Sequence, residues 1–328
     1  MKCIGFATCS DLSRYFPSKE NPLLTHDDYL AFLHLKQLGY KVSPVVWTDS
    51  FKSLQAKNLD VLVIRSPWDY SDSKETRQEF IGWLEKLKTL DLKVLNPVDL
   101  MLWNFDKHYL SDMEKVGVDV VPSFFVKPED KVDLLEMWKK FGPFVVKPCV
   151  SAGAKDTYRV LSYGAAVDLR EGKGDYPVAF DDLRKERFFM VQPYLSSVED
   201  FGEWSLVFLD GEYSHSLLKK PKKGSWFVQD ELGGSVHWLT PPKSVELAAQ
   251  KSFKLIKKAY QIKNSEVPLV DEITYARVDI IVYKDKCYLG ELEMIEPELF
   301  FLDRSSAEHK PHKKALDLFS RSVAKSCS

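Results

Sequence analysis

Tyr275-Ala-Arg-Val-Asp-Ile-Ile-Val-Tyr-Lys-Asp-Lys-Cys-Tyr-Leu-Gly-Glu-Leu-Glu293 sets three carboxylates and an arginine inside two apolar runs. Lys284-Asp285-Lys286 between the runs reads as a tight polar turn joining two antiparallel strands, and a strand repeats its side-chain direction every second residue. Arg277 and Asp279 therefore share one face. So do Glu291 and Glu293, whose side-chain origins lie about 7 Å apart at a rise of roughly 3.4 Å per residue. Three acids gathered in an apolar sheet repel one another and stay ionised at low cost only beside a cation. Magnesium suits the set, because it is hard, takes oxygen ligands and is commonly held by a few carboxylates together with phosphate oxygens. The same letters also fit a hairpin whose acids face solvent, and the hairpin alone does not separate the two.

At 328 residues the chain suits two or three subdomains rather than one core. Hydrophobic residues make up 45% and charged residues 29%, the usual mix of a globular chain, which argues against disordered, fibrous and membrane classes. Forty-six basic against 48 acidic residues leave a formal net charge of -2, so neither nucleic acid nor an anionic membrane is expected as a partner. Cys3, Cys9, Cys149, Cys287 and Cys327 are odd in number and lack zinc-finger spacing, which reads as free thiols in a reducing compartment. The opening segment is apolar only until Ser10 and Asp11, which fits a first strand better than a signal peptide. No apolar run approaches the roughly 20 residues that span a bilayer, and a cytoplasmic location is expected.

From residue 1 to about 103, short apolar strands alternate with amphipathic helices, predicting an open α/β sheet. Thr25 and Asp28 form a capping pair for the first helix, Leu30, Leu33 and Leu38 give its apolar face, and Gly39 stops it. No Gly-x-Gly-x-x-Gly turn occurs in this part, which disfavours a dinucleotide-binding Rossmann fold. A second unit is expected over 104–195. It has a helix from Asp106 to Val116, strands at Ser123–Val126, Phe144–Lys147 and Phe188–Gln192, and an irregular excursion over 164–187. A third unit, 196–328, begins with a hairpin around Asp210-Gly211, a strong turn signal. A Gly- and Lys-rich loop over 219–234, a helix from Ser244 to about Tyr260, the carboxylate hairpin and a closing helix follow.

Two lysines stand where a phosphate site would want them, Lys107 at a helix start and Lys147 at a strand end. Pro148 to Thr157 after Lys147 is a small-residue loop, including Ser151 and Gly153, able to wrap an anion with its amides. A strand-end lysine that merely snorkels to solvent is the plain alternative. The order is telling: helix lysine, strand lysine, small-residue loop, Met190-Val-Gln-Pro-Tyr-Leu195, Gly202-Glu203, then three acids.

That order resembles the ATP-grasp superfamily over nearly all of the chain after residue 100, and is closest to ligases of the D-alanine:D-alanine and glutathione synthetase kind. The resemblance implies an N-terminal α/β domain and two α+β subdomains clamping ATP. It gives Asn104-Phe-Asp-Lys107 and Val145-Val-Lys147 the adenine and phosphate lysines, and Met190 to Leu195, with Gln192, Tyr194 and Leu195, the adenine hinge. Glu203 would hold the ribose hydroxyls. Arg277 and Asp279 match the paired arginine and metal aspartate, and Glu291-Leu-Glu293 with Pro297 falls on the metal pair and its following proline. ATP and magnesium are implied, with one or two ions, or manganese in their place. Glu293 stands where relatives carry asparagine, which leaves the ion number open, and the 151–157 loop has fewer glycines than usual. Lys219, rather than Lys220, is preferred as the terminal-phosphate residue.

Within the superfamily, Arg65-Ser-Pro-Trp-Asp-Tyr70, Val150-Ser-Ala-Gly-Ala154 and Ile295-Glu-Pro-Glu-Leu-Phe-Phe301 most resemble the cyclo-ligase subgroup of cycloserine biosynthesis, pointing to a small, polar, amino-acid-like substrate. Arg65, Trp68 and Asp69 lie past the end of a predicted parallel strand, where open α/β sheets place ligand contacts. A packed Trp68 beside an Arg65–Asp69 ion pair is the structural alternative. The activity implied is a carboxylate–amine ligase working through an acyl phosphate, with Arg277 steadying the oxyanion. A phosphotransferase using the Lys219, Lys220, Lys222, Lys223 cluster, or a binding module without turnover, would use the same scaffold. His309 and His312 fall in a basic stretch read as solvated, and His215 and His237 flank the basic loop, where polar packing accounts for them. The oligomeric state is not legible.

Overall fold

A computed structural model describes residues 1–15, 17–128, 130, 132–151, 155–176, 178–226, 228, 233–267, 269, 273–303 and 311–327. The first sheet is wholly parallel. Strands β1 (Cys3–Thr8), β2 (Lys41–Val46), β3 (Val61–Ser66) and β4 (Lys93–Leu95) lie in the order β2-β1-β3-β4. A parallel sheet is covered on both faces, and β3 is accordingly buried along its whole length. Val61 and Val63 pack toward helix α1 (His26–Gln37), whereas Leu62 and Ile64 join the core of α2 (Phe51–Ala56), α3 (Lys74–Leu87) and the start of α4 (Val98–Asn104).

Thr25 caps α1 as expected, its hydroxyl accepting from Asp28 N at 3.0 Å. The buried face differs from the expected one: Ala31, Phe32 and Leu35 are covered together with Asp27 and Asp28, while Leu38 is exposed. The acids can be buried because they are paired. Asp28 accepts from Arg65 Nε (2.8 Å) and Ser66 Oγ (3.0 Å), and Asp27 accepts from the Phe301 amide.

The chain continues through α5 (Tyr109–Lys115), β5 (Phe124–Val126), α6 (Leu134–Phe141), β6 (Phe144–Pro148), β7 (Tyr158–Val160), α7 (Tyr163–Glu171), α8 (Phe180–Leu183) and β8 (Phe189–Pro193). The expected helix from Asp106 is shorter, because Asp106 to His108 form the turn between α4 and α5. Strands β5 to β8 make an antiparallel sheet in the order β5-β8-β6-β7. The stretch 164–187 is not irregular throughout. Ser162 accepts from Ala165 N to start α7, and Gly172, left-handed at φ 67° and ψ 50°, ends it. Ala166, Leu169 and Phe180 then pack on Phe144, Val146, Phe189 and Val191.

A five-stranded antiparallel sheet follows a short helix α9 (Ser197–Phe201). It comprises β9 (Glu203–Leu209), β10 (Glu212–Lys220), β11 (Ser235–Trp238), β12 (Tyr275–Tyr283) and β13 (Lys286–Glu293), in the order β11-β10-β9-β12-β13. Lys219 and Lys220 belong to β10, not to the following loop. Lys284 and Asp285 turn between β12 and β13 with φ of 49° and 61°, matching the twist of a two-residue hairpin. Leu206, Phe208, Ala276, Val278 and Ile280 pack on α5 and on α10 (Lys243–Gln261). The other face changes character along its length. Val207, Leu209, Leu217 and Tyr275 meet the last helix, α11 (Lys313–Ser326), and one step further Ser205, Lys219, Arg277 and Asp279 are polar.

Packing cuts across the limits expected at 103/104 and 195/196. Residues of α4 and α5 join the core of the five-stranded sheet, and α11 joins that of α1 and β1. Among the described residues no helix is long and apolar enough to cross a membrane.

Candidate functional site

Gly290 puts the carboxylates where they are. Ile280 pairs with Leu289 and Asp279 with Glu291, so β13 carries one extra residue, Gly290, in a bulge. Were Gly290 a regular paired residue of the ladder instead, Glu291 would take the parity of Leu289 and face the apolar core. With it bulged, Glu291 and Glu293 stand opposite Asp279 and Arg277 on the polar face. Oxygens of Asp279, Glu291 and Glu293 come within 4.8 Å of one another.

The outer edge of β13 is fastened by side chains. Asn104 donates to Leu292 O (2.8 Å) and accepts from Met294 N (2.9 Å), and the Tyr109 hydroxyl accepts from Leu292 N (2.8 Å). Asn96 donates to Met294 O and to Tyr275 O, both at 2.8 Å. An edge strand thus held cannot slide, so its acids keep their positions.

Cations interleave with the acids. Lys107 Nζ lies 2.9 Å from Glu291, and Lys219 Nζ lies 2.7 Å from Glu203 and 3.3 Å from Asp279. Arg277 Nε meets Asp279 at 3.1 Å, and its Nη2 bonds both Asp279 and Glu293. Ser205 Oγ donates to Asp279 at 2.6 Å. Burial works against the charged forms of Asp279 and Glu291, yet Arg277 and Lys219 for the first, and Lys107 and Lys147 for the second, hold both well below the usual carboxylate range. Glu293 goes the other way: burial pushes its pKa up to about 8 against the pull of Arg277, and the charges of Glu291 and Asp279 add to the rise. Burial lowers the pKa of Lys147, which has no ion-pair partner among the described residues.

All of this lines a cleft of about 530 Å³ between the two antiparallel sheets, reaching the N-terminal sheet. Lys107, Lys147, Ser151, Gln192, Tyr194, Leu195, Glu203, Lys219, Arg277, Glu291 and Glu293 border it, with the buried Asp279 behind them. Gln192 donates to Ser123 Oγ (2.8 Å), and the Ser151 carbonyl accepts from Lys107 Nζ (3.3 Å). Lys220 is not on the wall, as strand alternation requires. Gly153 and His309 lie outside the described residues.

Three substrate expectations separate. Trp68 borders the cleft, but Arg65 and Asp69 do not. Arg65 is 1% exposed, spent on Asp28 and on Pro297 O (3.0 Å), and lies over the Tyr275 ring. Asp69 accepts from Trp47 Nε1 at 2.6 Å rather than pairing with Arg65. His215 is buried, stacked on Trp238 and bonded to Leu299 O (3.0 Å). His312 is not merely solvated: it caps α11 and stacks on Trp238, its ring centroid 5.3 Å from that of His215.

Residues 4–96 match the family model described as the N-terminal domain of the D-cycloserine synthetase DcsG. The chain is 27% identical over 271 residues to the cycloserine biosynthesis protein DcsG of Streptomyces lavendulae, covering 80% of this chain and 84% of that one. The crystal structure of D-cycloserine synthetase DcsG superposes with a TM-score of 0.73 at 22% identity, over 99% of this chain and 100% of the other. The chain has the ATP-grasp fold. A second ATP-grasp ligase, the D-alanine–D-alanine ligase of Bacillus anthracis complexed with ATP, gives a TM-score of 0.63 at 15% identity over 99% of both chains.

The sequence alone does not mark Ser205, Asn96, Asn104 as a strand clamp, or Tyr109. Ser205 was within reach, being two residues past Glu203 and hence on the same face. The asparagines and Tyr109 serve backbone atoms at least 178 positions away, which no local pattern reports.

Proposed function

We propose that the protein is an ATP-dependent ligase that activates a carboxylate of a small, amino-acid-like molecule as an acyl phosphate and joins it to an amine. The observation that carries this is the set Asp279, Glu291 and Glu293 facing Arg277 in a cleft that also receives Lys107, Lys147 and Lys219. The donor set fits magnesium: three carboxylates, hard oxygens only, with oxygens within 4.8 Å of one another. Asp279, Glu291 and Glu293 would hold it, and when bound it supplies positive charge to the phosphate oxygens.

Lys147, unpaired by any acid among the described residues, is the cation free to meet a phosphate, and Lys107 and Lys219 join it by exchanging partners. Glu203 would take the ribose hydroxyls, with Tyr194 and Leu195 against the base. Arg277 spends Nε and Nη2 on acids, and its Nη1 makes no hydrogen bond among the described residues. Nη1 would steady the oxyanion as the amine adds, a task suited to a fixed, permanently charged fork. The β5–β8 sheet, closing over the cleft, would keep water from the acyl phosphate.

The test supplies the purified protein with ATP, Mg2+ and D- or L-amino acids, singly, in pairs and with hydroxylamine. Phosphate released only with both acid and amine, and a hydroxamate formed with hydroxylamine, support the ligase. A stable phosphoester would favour phosphotransfer instead.

A further inference from the structure

Past the three acids the cleft runs toward the N-terminal sheet, where Tyr15, Trp68 and Tyr70 border it together with Glu296. Glu296 follows β13 by three residues and is gripped at two points. Its carbonyl accepts from Trp68 Nε1 (3.0 Å), and its Oε1 accepts from the Tyr70 hydroxyl (2.6 Å). Tyr70 is itself fixed, buried and stacked on Phe80 with ring centroids 4.7 Å apart.

Glu203, Asp279, Glu291 and Glu293 each touch a lysine or arginine, whereas Glu296 has no ion-pair partner among the described residues. A half-buried carboxylate set in place by a phenol and walled by an indole favours a cationic visitor. Lys107, Arg277, Glu293 and Tyr275 are the other ionisable groups that act on it. Burial raises its pKa despite the Tyr70 hydrogen bond, which acts to lower it.

Resting on the ligase reading, we propose that Glu296 receives the amine substrate as an ammonium ion and takes the proton that must leave before the nitrogen can attack. The ammonium gives one proton to the Glu296 carboxylate, and the freed lone pair forms the carbon–nitrogen bond. The carbon–oxygen bond to phosphate then breaks, phosphate leaving with that electron pair and with the second surplus proton of the nitrogen. Glu296 returns its proton to solvent. The substrate class this selects is a primary amine that is protonated at neutral pH.

Hydroxylamine isolates the step, because it is neutral at neutral pH and attacks an acyl phosphate without a proton acceptor. Wild type, Glu296→Gln and Tyr70→Phe are given ATP, Mg2+ and the amino-acid panel, once with a second amino acid as the amine and once with hydroxylamine. Glu296→Gln is expected to lower amide formation by about 10²-fold or more while hydroxamate formation with the same acid persists. Tyr70→Phe keeps the ring but removes the hydrogen bond that favours the carboxylate, so the acidic limb of its amide-forming profile moves to higher pH. Equal loss of both products in Glu296→Gln, or loss of neither, overturns the proposal. A wild type that forms neither product with any amino acid overturns the ligase reading itself, a distinct result.

Discussion

Lys107 Nζ stands 2.9 Å from Glu291 Oε1, joining the turn before α5 to the edge strand of the five-stranded sheet. Glu291→Gln keeps the shape of the side chain and removes the charge that both Lys107 and a metal would use. Turnover is expected to fall by roughly 10²-fold or more with the far-ultraviolet circular dichroism unchanged. The melting temperature should drop modestly, since Lys107 loses its counter-ion. Phosphate release and a thermal melt check both, and undiminished release would remove Glu291 from the metal set.

Arg277→Lys retains a charge but not the fork that binds Asp279 and Glu293 at once. Because its remaining N–H groups would act on the oxyanion, kcat should fall by more than ATP affinity does. Steady-state rates beside calorimetric ATP binding separate the two. A variant that keeps its kcat and loses only ATP would argue for a nucleotide role instead.

Gly290 separates a test of space from a test of the bulge. A Cβ there meets the Ile281 side chain at 3.2 Å and Asp279 O at 3.6 Å, so Gly290→Ala should fold with a small adjustment of a flexible neighbour. Deleting Gly290 removes the bulge but leaves Leu289 opposite Ile280 and Glu291 opposite Asp279, so Glu291 and Glu293 keep the polar face and only the local bend of β13 is lost. Calorimetry with Mg2+ and ATP should register binding in both variants, and binding lost in the second alone would show that the bend itself aims the acids.

His215 makes stability depend on pH. Burial, reinforced by His312, drives its folded pKa down to about 3 from an ordinary 6.5. Above 6.5 both folded and unfolded chains hold it neutral. As pH falls from 6.5 toward 3 only the unfolded chain takes up a proton, so stability is lost at a slope of about 1.4 kcal/mol per pH unit. His312 shifts the same way, Asp279 and Glu291 add losses as pH falls from their ordinary pKa toward about 2, and Glu293, raised to about 8, acts in the opposite sense alike in wild type and variant. Urea midpoints between pH 6.5 and 4.5 should therefore fall less steeply for His215→Gln than for wild type. Parallel curves would count against a neutral buried imidazole.

The carboxylate hairpin and the Asp210-Gly211 hairpin were legible because alternation and turn chemistry are local. The pairing register was not. Counting by twos through Leu289, Gly290 and Glu291 gives the wrong parity across the bulge, although Glu291 and Glu293, both beyond it, were correctly read as one face. Arg65 misled for a related reason. An arginine at a strand end suggests a ligand, but its partner Asp28 sits 37 positions earlier, on a helix face that an apolar pattern does not mark as buried. The run 164–187 looked unstructured because its two helices are short and take their cover from Phe144 and Phe189.

Helix α11 has a bearing on how the chain comes into being. Leu316, Phe319 and Val323 share one core with Ile4, Phe6 and Phe32. Ribosomes deliver the first sheet early, yet the face that α1 covers lacks its second helix until residues 313–326 emerge. The opening domain therefore completes its core late, with part of its apolar surface uncovered while translation proceeds.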